Sequence, residues 1–399
     1  MFNQIRLNAW STGVRNRVAV PLRVELWNGQ RLDFSSEPPR VTIRVPNAAA
    51  VRYLLSPSLY NLGTAYVEGA IDVTGRANDM IAVVGLLAAN SGPRGRLLRA
   101  LRSITHTRAI DAAAVSYHYD VSNDFYAAWL DPAMVYSCAY FENGDETLAQ
   151  AQRKKIDHIL TKIDLRPGHT LLDIGCGWGA LVIRAAQHHG ARCVGITLSE
   201  NQARHARAQV ERAGVGHLVE IRLEDYRDVR GKFDRITSVG MFEHVGVRHL
   251  PEYFGRINAL LADDGLAMNH GLTTTNTNSK TAPFGAGEFI QRYVFPHGEL
   301  AHLGTVLTAM QEGGLEALDV ENLRRHYART CALWTDNFEA KAEQIKLLTD
   351  PRKFRIWHVY LAGCTYAFEH DWISLYQVVC GKAGRAPGGI AWSRKYMYR

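Results

Sequence analysis

The sequence predicts an α/β protein with a mostly parallel, doubly wound sheet carrying helical additions, preceded by a small N-terminal α/β domain. Three observations carry that expectation. From about residue 155, apolar strand-like runs alternate with amphipathic helix-like segments, the pattern of a parallel sheet covered on both faces. Within this region LLDIGCGWGA, at 171–180, reads as an apolar strand entering a glycine-rich turn and then a helix. Residues 1 to about 90 hold short alternating segments instead, PLRVELWNG and RVTIRVP, followed by a helical stretch and AYVEGAIDVTG.

In chain order the larger region predicts strand HTLLDIG, helix ALVIRAAQHH, strand RCVGITL and helix ENQARHARAQVERAG. Strands LVEIRL and FDRITSVG follow, then helix PEYFGRINALLADDG and strand LAMNHGLT. The last hundred residues read as mainly helical and rich in aromatics. A Gly/Pro/Arg stretch near 91–96 reads as a linker. The expected domains are 1–110, with the basic linker, and 111–399. At 399 residues, 47% hydrophobic and 21% charged, the chain is long enough for both to bury cores.

Six cysteines, Cys138, Cys176, Cys193, Cys331, Cys364 and Cys380, lie far apart and form no CxxC pair, so neither a zinc site nor a disulfide framework is expected. No run reaches the ~18 apolar residues of a membrane span, MIAVVGLLAA at 80–89 being the longest comparable one. MFNQIRLNAW also lacks the apolar core of a signal peptide, and the expectation is a cytoplasmic protein. The net charge of +7 is unevenly spread. No acid occurs between Asp79 and Asp111, where Arg94, Arg96, Arg99, Arg102 and Arg108 fall, and none follows Asp371, where Lys382, Arg385, Arg394, Lys395 and Arg399 fall. Such segments suit an anionic membrane surface, a nucleic acid, or simply a solvated linker and tail.

Gly175, Gly177 and Gly179 let the backbone approach a ligand at the carboxyl end of the first strand, where open sheets bind. The spacing is not GxGxxG, and the acid, Asp173, precedes the glycines. That arrangement resembles the S-adenosylmethionine loop of Rossmann-like class I methyltransferases. After the next strand GITLSENQ offers neutral hydrogen-bonding groups, Thr197 and Gln202, where a ribose acid is common; LEDY then makes Leu223 and Glu224 candidates for the adenine edge.

HYDVSNDFY, YSCAYF, LDIGCGWG, GITLSENQ, SVGMFEHVG, FPHGEL and YLAGCTYAFEHDWISLYQVV, in this order, closely resemble the cyclopropane fatty acid synthases and mycolic acid methyltransferases. The resemblance spans about 110–382. It implies that Tyr136 and Ser137 close over the methionine end of S-adenosylmethionine, that Asp173 and the three glycines form its loop, and that Thr197, Gln202, Leu223 and Glu224 hold its nucleoside. It further implies that Cys138, Glu243, His270 and Tyr327 hold a bicarbonate ion, with a backbone donor near Leu272. Cys364 matches a cysteine often marked as an active-site residue, although GCTYAF reads like a buried helix in which cysteine is merely small. A small N-terminal domain is a feature of the phospholipid-modifying members and tilts the expected substrate toward unsaturated phospholipid acyl chains. The bacterial relatives suggest a homodimer, and the basic segments lead to the expectation of a protein peripheral on the inner face of the cell membrane.

Methyl transfer to an isolated cis double bond leaves a carbocation on the other alkene carbon, and ring closure then needs a base to take a proton from the delivered methyl. Water must be excluded, because it would quench the cation as an alcohol. A small oxyanion held by fixed donors and oriented by a carboxylate meets those demands. Tyr136, Tyr140, Phe141 and Trp334 are candidates for stabilising the cation, at about 0.5–2 kcal/mol each. Taken singly, Glu243 equally fits a turn cap, His270 a satisfied core histidine, and Tyr327 and Cys138 plain packing. The expected reaction is cyclopropane formation; a methylene-branched or methyl-alcohol product is the nearest alternative. A nucleic-acid methyltransferase lacks an N/DPPY-like motif or RNA-binding module here, and an intact glycine loop argues against a non-catalytic lipid-binding protein. No carboxylate stands at metal spacing from His188 and His189, so no metal is expected.

Overall fold

The computed structural model describes residues 2–89, 121–277, 283–295, 298–385 and 391–398. The arginines at 94–108, the expected boundary at 110 and Arg399 lie outside them. The chain forms two compact units. The smaller takes Met1–Ile104 together with Lys280–Pro296 and Cys331–His370, two segments that the sequence reading placed in 111–399.

The larger unit is a seven-stranded sheet. Its strands are β5 (Thr170–Ile174), β6 (Arg192–Thr197), β7 (Val219–Leu223), β8 (Phe233–Val239), β9 (Leu261–Thr274), β10 (Leu315–Asn322) and β11 (Ile373–Lys382), in the order β10-β11-β9-β8-β5-β6-β7. Strands β5 to β9 are parallel, and β11 runs antiparallel to both β9 and β10. The continuous apolar run in β5, with Leu171, Leu172 and Ile174 all buried, is what a central strand covered on both faces requires.

Two expectations are corrected. The last hundred residues are not simply helical: β10 and β11 complete the sheet, and β11 inserts between β9 and β10. The helix read through Gly265 ends at Leu260, because Leu261 is extended, fully buried and already paired with Phe233 of β8.

Helix starts fix the elements around the site. Thr147 and Gln150 form a reciprocal capping box at the helix Leu148–Lys162. Ser199 caps the helix Glu200–Arg212 by accepting from the Gln202 amide. The helix Ala180–His189 begins at Gly179 and has no side-chain cap, so no side chain of the cap claims its first amides.

The smaller unit contains β1 (Leu22–Leu26), β2 (Arg31–Asp33), β3 (Val41–Val45) and β4 (Asp72–Thr74), in the order β2-β1-β3-β4, with only β1 and β3 parallel. Alternation in β1 and β3 buries Leu22, Val24, Ile43 and Val45 against Leu54 and Leu62. Within this unit Tyr66, His358, Glu339 and the Ala77 amide make a continuous hydrogen-bonded chain, at 3.2, 2.8 and 2.7 Å, across the buried face of the helix Pro351–Glu369.

Candidate active site

The loop after β5 has the geometry its glycines permit. Gly175, Gly177 and Gly179 have φ of 82°, 55° and 91°, the left-handed region that side chains resist. At Gly179 a Cβ would also crowd Ala206 at 3.2 Å; in front of Gly177 there is open space. The Gly175 and Cys176 amides both donate to the Ile196 carbonyl, at 3.0 and 2.9 Å, tying the loop to β6. Asp173 is buried beside it and accepts from Thr237 Oγ1 at 2.7 Å. Burial pushes its carboxyl up to about 6, against the pull of Thr237 and the Lys155 ammonium.

A pocket opens over this loop, lined on one side by Tyr136, Ser137 and Lys155 and on the other by Thr197, Gln202 and Glu224. Trp178, Tyr126 and Tyr136 form a ring cluster, with centroids 5.0 and 5.6 Å apart, and Trp178 Nε1 donates to Asn123 Oδ1 at 2.9 Å. Thr197 Oγ1 donates to Gln202 Oε1 at 2.8 Å, and the Glu224 amide donates to the Thr197 carbonyl, so these three candidates form one wall. Leu223 does not join them: it is 48% exposed at the end of β7 and does not line the pocket.

The carboxylate at the end of β8 has a structural answer. The Gly240 amide donates to the His270 carbonyl, and then the chain turns away at Gly240, whose φ is 66°. The Leu272 amide, two residues further along β9, finds Glu243 Oε1 instead, at 2.7 Å. Glu243 Oε2 is buried with no hydrogen-bond partner among the described residues. Burial pushes the carboxyl up to about 7, with the Leu272 amide opposing. The backbone donor expected for an oxyanion at Leu272 is therefore engaged by Glu243 itself.

His270 lies opposite Val239 of β8 and Gln377 of β11, fully buried in the middle of the sheet. Gln377 Nε2 lies 3.2 Å from His270 Nδ1, and His270 Nε2 has no partner among the described residues. Burial, with Lys155 and Lys162 nearby, holds the imidazole well below the usual histidine range and hence neutral. A Gln377 amide donating to Nδ1 selects the tautomer with the proton on Nε2, where it has no acceptor among the described residues.

Cys138 lies at the start of the helix that carries Tyr327. The buried Cys138 Sγ lies 3.8 Å from the Leu323 carbonyl, which also accepts the Tyr327 amide at 3.0 Å in the first turn of the helix Arg324–Ala340. Burial drives the Cys138 thiol far up, so it remains protonated. Cys364 belongs to the smaller unit, on the helix Pro351–Glu369, where burial pushes its thiol up to about 12. Neither cysteine is poised as a thiolate.

Two residues escaped the sequence reading. Lys155 is buried in the pocket wall and donates to Ser137 Oγ at 2.7 Å. Its signal lay on the helix Leu148–Lys162, where Gln152, Lys155 and Lys162 interrupt a stripe of buried Ala151, Ile156, Ile159 and Leu160. Gln377 sits in the buried run ISLYQVVCGK, and marked itself only as a polar residue inside it. Among the described residues no group of histidine, cysteine and carboxylates could hold a metal ion.

Residues 106–378 match the family model described as mycolic acid cyclopropane synthetase. The chain belongs to that family. Residues 9–91 match a domain of unknown function. A "Probable fatty acid methyltransferase" of Pseudomonas putida is 43% identical over 95% of this chain and 97% of its own length. The tuberculostearic acid methyltransferase of Mycobacterium tuberculosis is 34% identical over 93% of this chain and 91% of its own. Among solved structures, a mycolic acid cyclopropane synthase complexed with SAH and CTAB aligns with a TM-score of 0.65 at 35% identity, covering 68% of this chain and 98% of that one. This cyclopropane synthetase family member thus has the class I S-adenosylmethionine-dependent methyltransferase fold, and it is a methyltransferase acting on lipids. The left-handed glycine loop, uncapped helix start and open space before Gly177 fit S-adenosylmethionine as its cofactor.

Proposed function

We propose that the enzyme transfers a methylene group to the cis double bond of unsaturated acyl chains in membrane phospholipids, forming cyclopropane fatty acids. The observation that carries this reading is that Glu243 Oε2, just beyond the end of β8, and His270 Nε2, in the neighbouring strand β9, are both buried without a hydrogen-bond partner among the described residues. A buried polar atom without a partner is costly, and the two together fit a small oxyanion with one hydroxyl, which bicarbonate is. When bound, S-adenosylmethionine supplies an electrophilic methyl on sulfur and bicarbonate supplies a base.

The chain's own groups do the positioning. Glu243 accepts the oxyanion's hydroxyl on Oε2 while the Leu272 amide steadies Oε1. His270 donates from Nε2 and keeps that tautomer through Gln377. Cys138 and Tyr327 are proposed to complete the oxyanion's surroundings, and Asp173, Thr197, Gln202 and Glu224 to hold the cofactor. The proposed reaction needs water kept from the site, because it would divert the carbocation.

The lipid surface is proposed as a peripheral contact with anionic headgroups, and a homodimer as the working assembly. Among the described residues no helix is long and apolar enough to cross a membrane. Part of the tail's charge is already engaged: Lys382 pairs with Asp263 at 2.9 Å and Arg394 with Asp319 at 2.8 Å.

A second reading keeps cofactor and lipid but ends in a methylene-branched or methyl-alcohol product. It is favoured by the names of the two relatives that span nearly the whole chain, both methyltransferases of fatty acids. The test of the proposed base is turnover on cis-unsaturated phospholipid vesicles in carbonate-stripped buffer. The rate should collapse and return on adding bicarbonate; an unchanged rate would remove bicarbonate from the account.

A further inference from the structure

Lys155 is a buried cation that the oxyanion site does not use. It is 2% exposed, lines the cofactor pocket, and makes one hydrogen bond, to Ser137 Oγ at 2.7 Å. No carboxylate among the described residues lies within ion-pair distance of it. The two carboxylates that act on it electrostatically are committed elsewhere: Asp131 accepts the Ala133 and Val135 amides at 3.0 and 2.9 Å, and Asp173 accepts from Thr237. Burial lowers the proton affinity of the amine, to about 8, which still leaves it mostly charged at neutral pH.

A lysine ammonium only donates, so Ser137 Oγ must be the acceptor in that bond. The hydroxyl's own proton is then left to be given away, and no acceptor takes it among the described residues. The backbone on either side is tied to the same helix, since Gln152 Nε2 donates to the Ser137 carbonyl at 2.8 Å and to that of Val135 at 3.2 Å. Gln152 and Lys155 both sit on the helix Leu148–Lys162, whose start is locked by its capping box. The result is a charge-assisted donor at the pocket wall, backed by a cation with no ion-paired carboxylate among the described residues. That is a receptor for an anion.

We infer that Lys155 is a positioning residue for the carboxylate at the amino-acid end of the cofactor, acting through Ser137, whose hydroxyl it orients and polarises. The inference rests on S-adenosylmethionine being the ligand of this pocket. It predicts that recognition of the carboxylate, and not of the nucleoside, depends on Lys155.

Binding of three ligands, measured by calorimetry, separates these contributions. S-Adenosylhomocysteine carries the carboxylate, S-adenosyl-3-thiopropylamine lacks only that group, and methylthioadenosine lacks the whole amino-acid end. Lys155→Met, close in shape and uncharged, should weaken S-adenosylhomocysteine by roughly ten- to hundredfold, as expected for a lost hydrogen bond to a charged group. The other two ligands should bind it as they bind the wild type, which also shows that the variant is folded. Ser137→Ala should lose the same selectivity, and the double variant should lose no more than either single one. Equal weakening of all three ligands, or an unchanged preference for the carboxylate, would overturn the role of Lys155 while leaving the cofactor reading standing. No binding of S-adenosylhomocysteine to the wild type would overturn both.

Discussion

Leu272 donates its backbone amide to one oxygen of Glu243 at 2.7 Å, and the other oxygen of that carboxylate is buried and unpaired. The carboxylate thus replaces the next carbonyl that β8 would have offered β9 had the chain not turned at Gly240. One group both finishes the ladder and keeps a second, unpartnered acceptor oxygen. Glu243→Gln keeps the shape and can still accept from Leu272, but it loses the anionic acceptor. Its kcat should fall about 10²–10⁴-fold, the usual worth of aligning a base, with S-adenosylhomocysteine affinity unchanged in calorimetry.

The same carboxyl sets a pH dependence. Its folded value is raised, to about 7 from an ordinary 4.5, because burial penalises the charge. Acceptance of the oxyanion's hydroxyl requires the ionised form, so kcat/KM should rise with pH through about 7. The limb should be missing in the residual activity of Glu243→Gln.

Stability should run the opposite way. A raised carboxyl contributes stability that is fully present below about 4.5 and is lost as pH rises through about 7. Chemical denaturation should therefore find Glu243→Gln close to the wild type at pH 4.5 and more stable at pH 8, by up to about 3 kcal/mol. Equal stabilities at both pH values would mean that the carboxyl is not desolvated.

Gly271 lies between His270 and Leu272, and a Cβ there would overlap the Phe242 ring, the neighbour of Glu243. Gly271→Ala should cost about 1–3 kcal/mol of stability and reduce kcat by displacing the segment that carries Glu243. Thermal melts with and without S-adenosylhomocysteine would check both parts, since ligand-induced stabilisation should survive.

Gln377 holds the His270 tautomer. In Gln377→Leu the imidazole loses its partner on Nδ1, and kcat should fall roughly tenfold, the worth of one such hydrogen bond. Nitrogen-15 spectra of the histidine rings should show a wild-type His270 protonated on Nε2 and a mixture in the variant.

How much of this was legible in the sequence follows from how local each feature is. LLDIGCGWGA and SVGMFEHVG carry their geometry within ten residues, because the glycines supply the positive φ and the flanking apolar runs supply the strand. Asp173, Gly177, Glu243 and His270 accordingly stand out as candidates from the residues alone or with the family's motifs. The strands β10 and β11 were not, because their pairing reaches across the chain: Gln377 meets His270 over 107 positions. The same distance hid the return of Lys280–Pro296 and Cys331–His370 to the smaller unit. Lys155 was overlooked because a lysine on a helix reads as solvated until its neighbours at 151, 156 and 159 are seen to be buried. Leu223, expected at the adenine edge, is exposed and outside the pocket lining because strand ends expose alternate side chains.

The most direct test incubates the protein with S-adenosylmethionine and vesicles of a cis-unsaturated phospholipid, then examines the released fatty acids by mass spectrometry and proton NMR. The account predicts acyl chains heavier by one CH2 with upfield cyclopropane protons and no vinyl signal. Chains heavier by one CH2 with vinylidene signals, or no lipid product from protein that demonstrably binds S-adenosylhomocysteine, would contradict it.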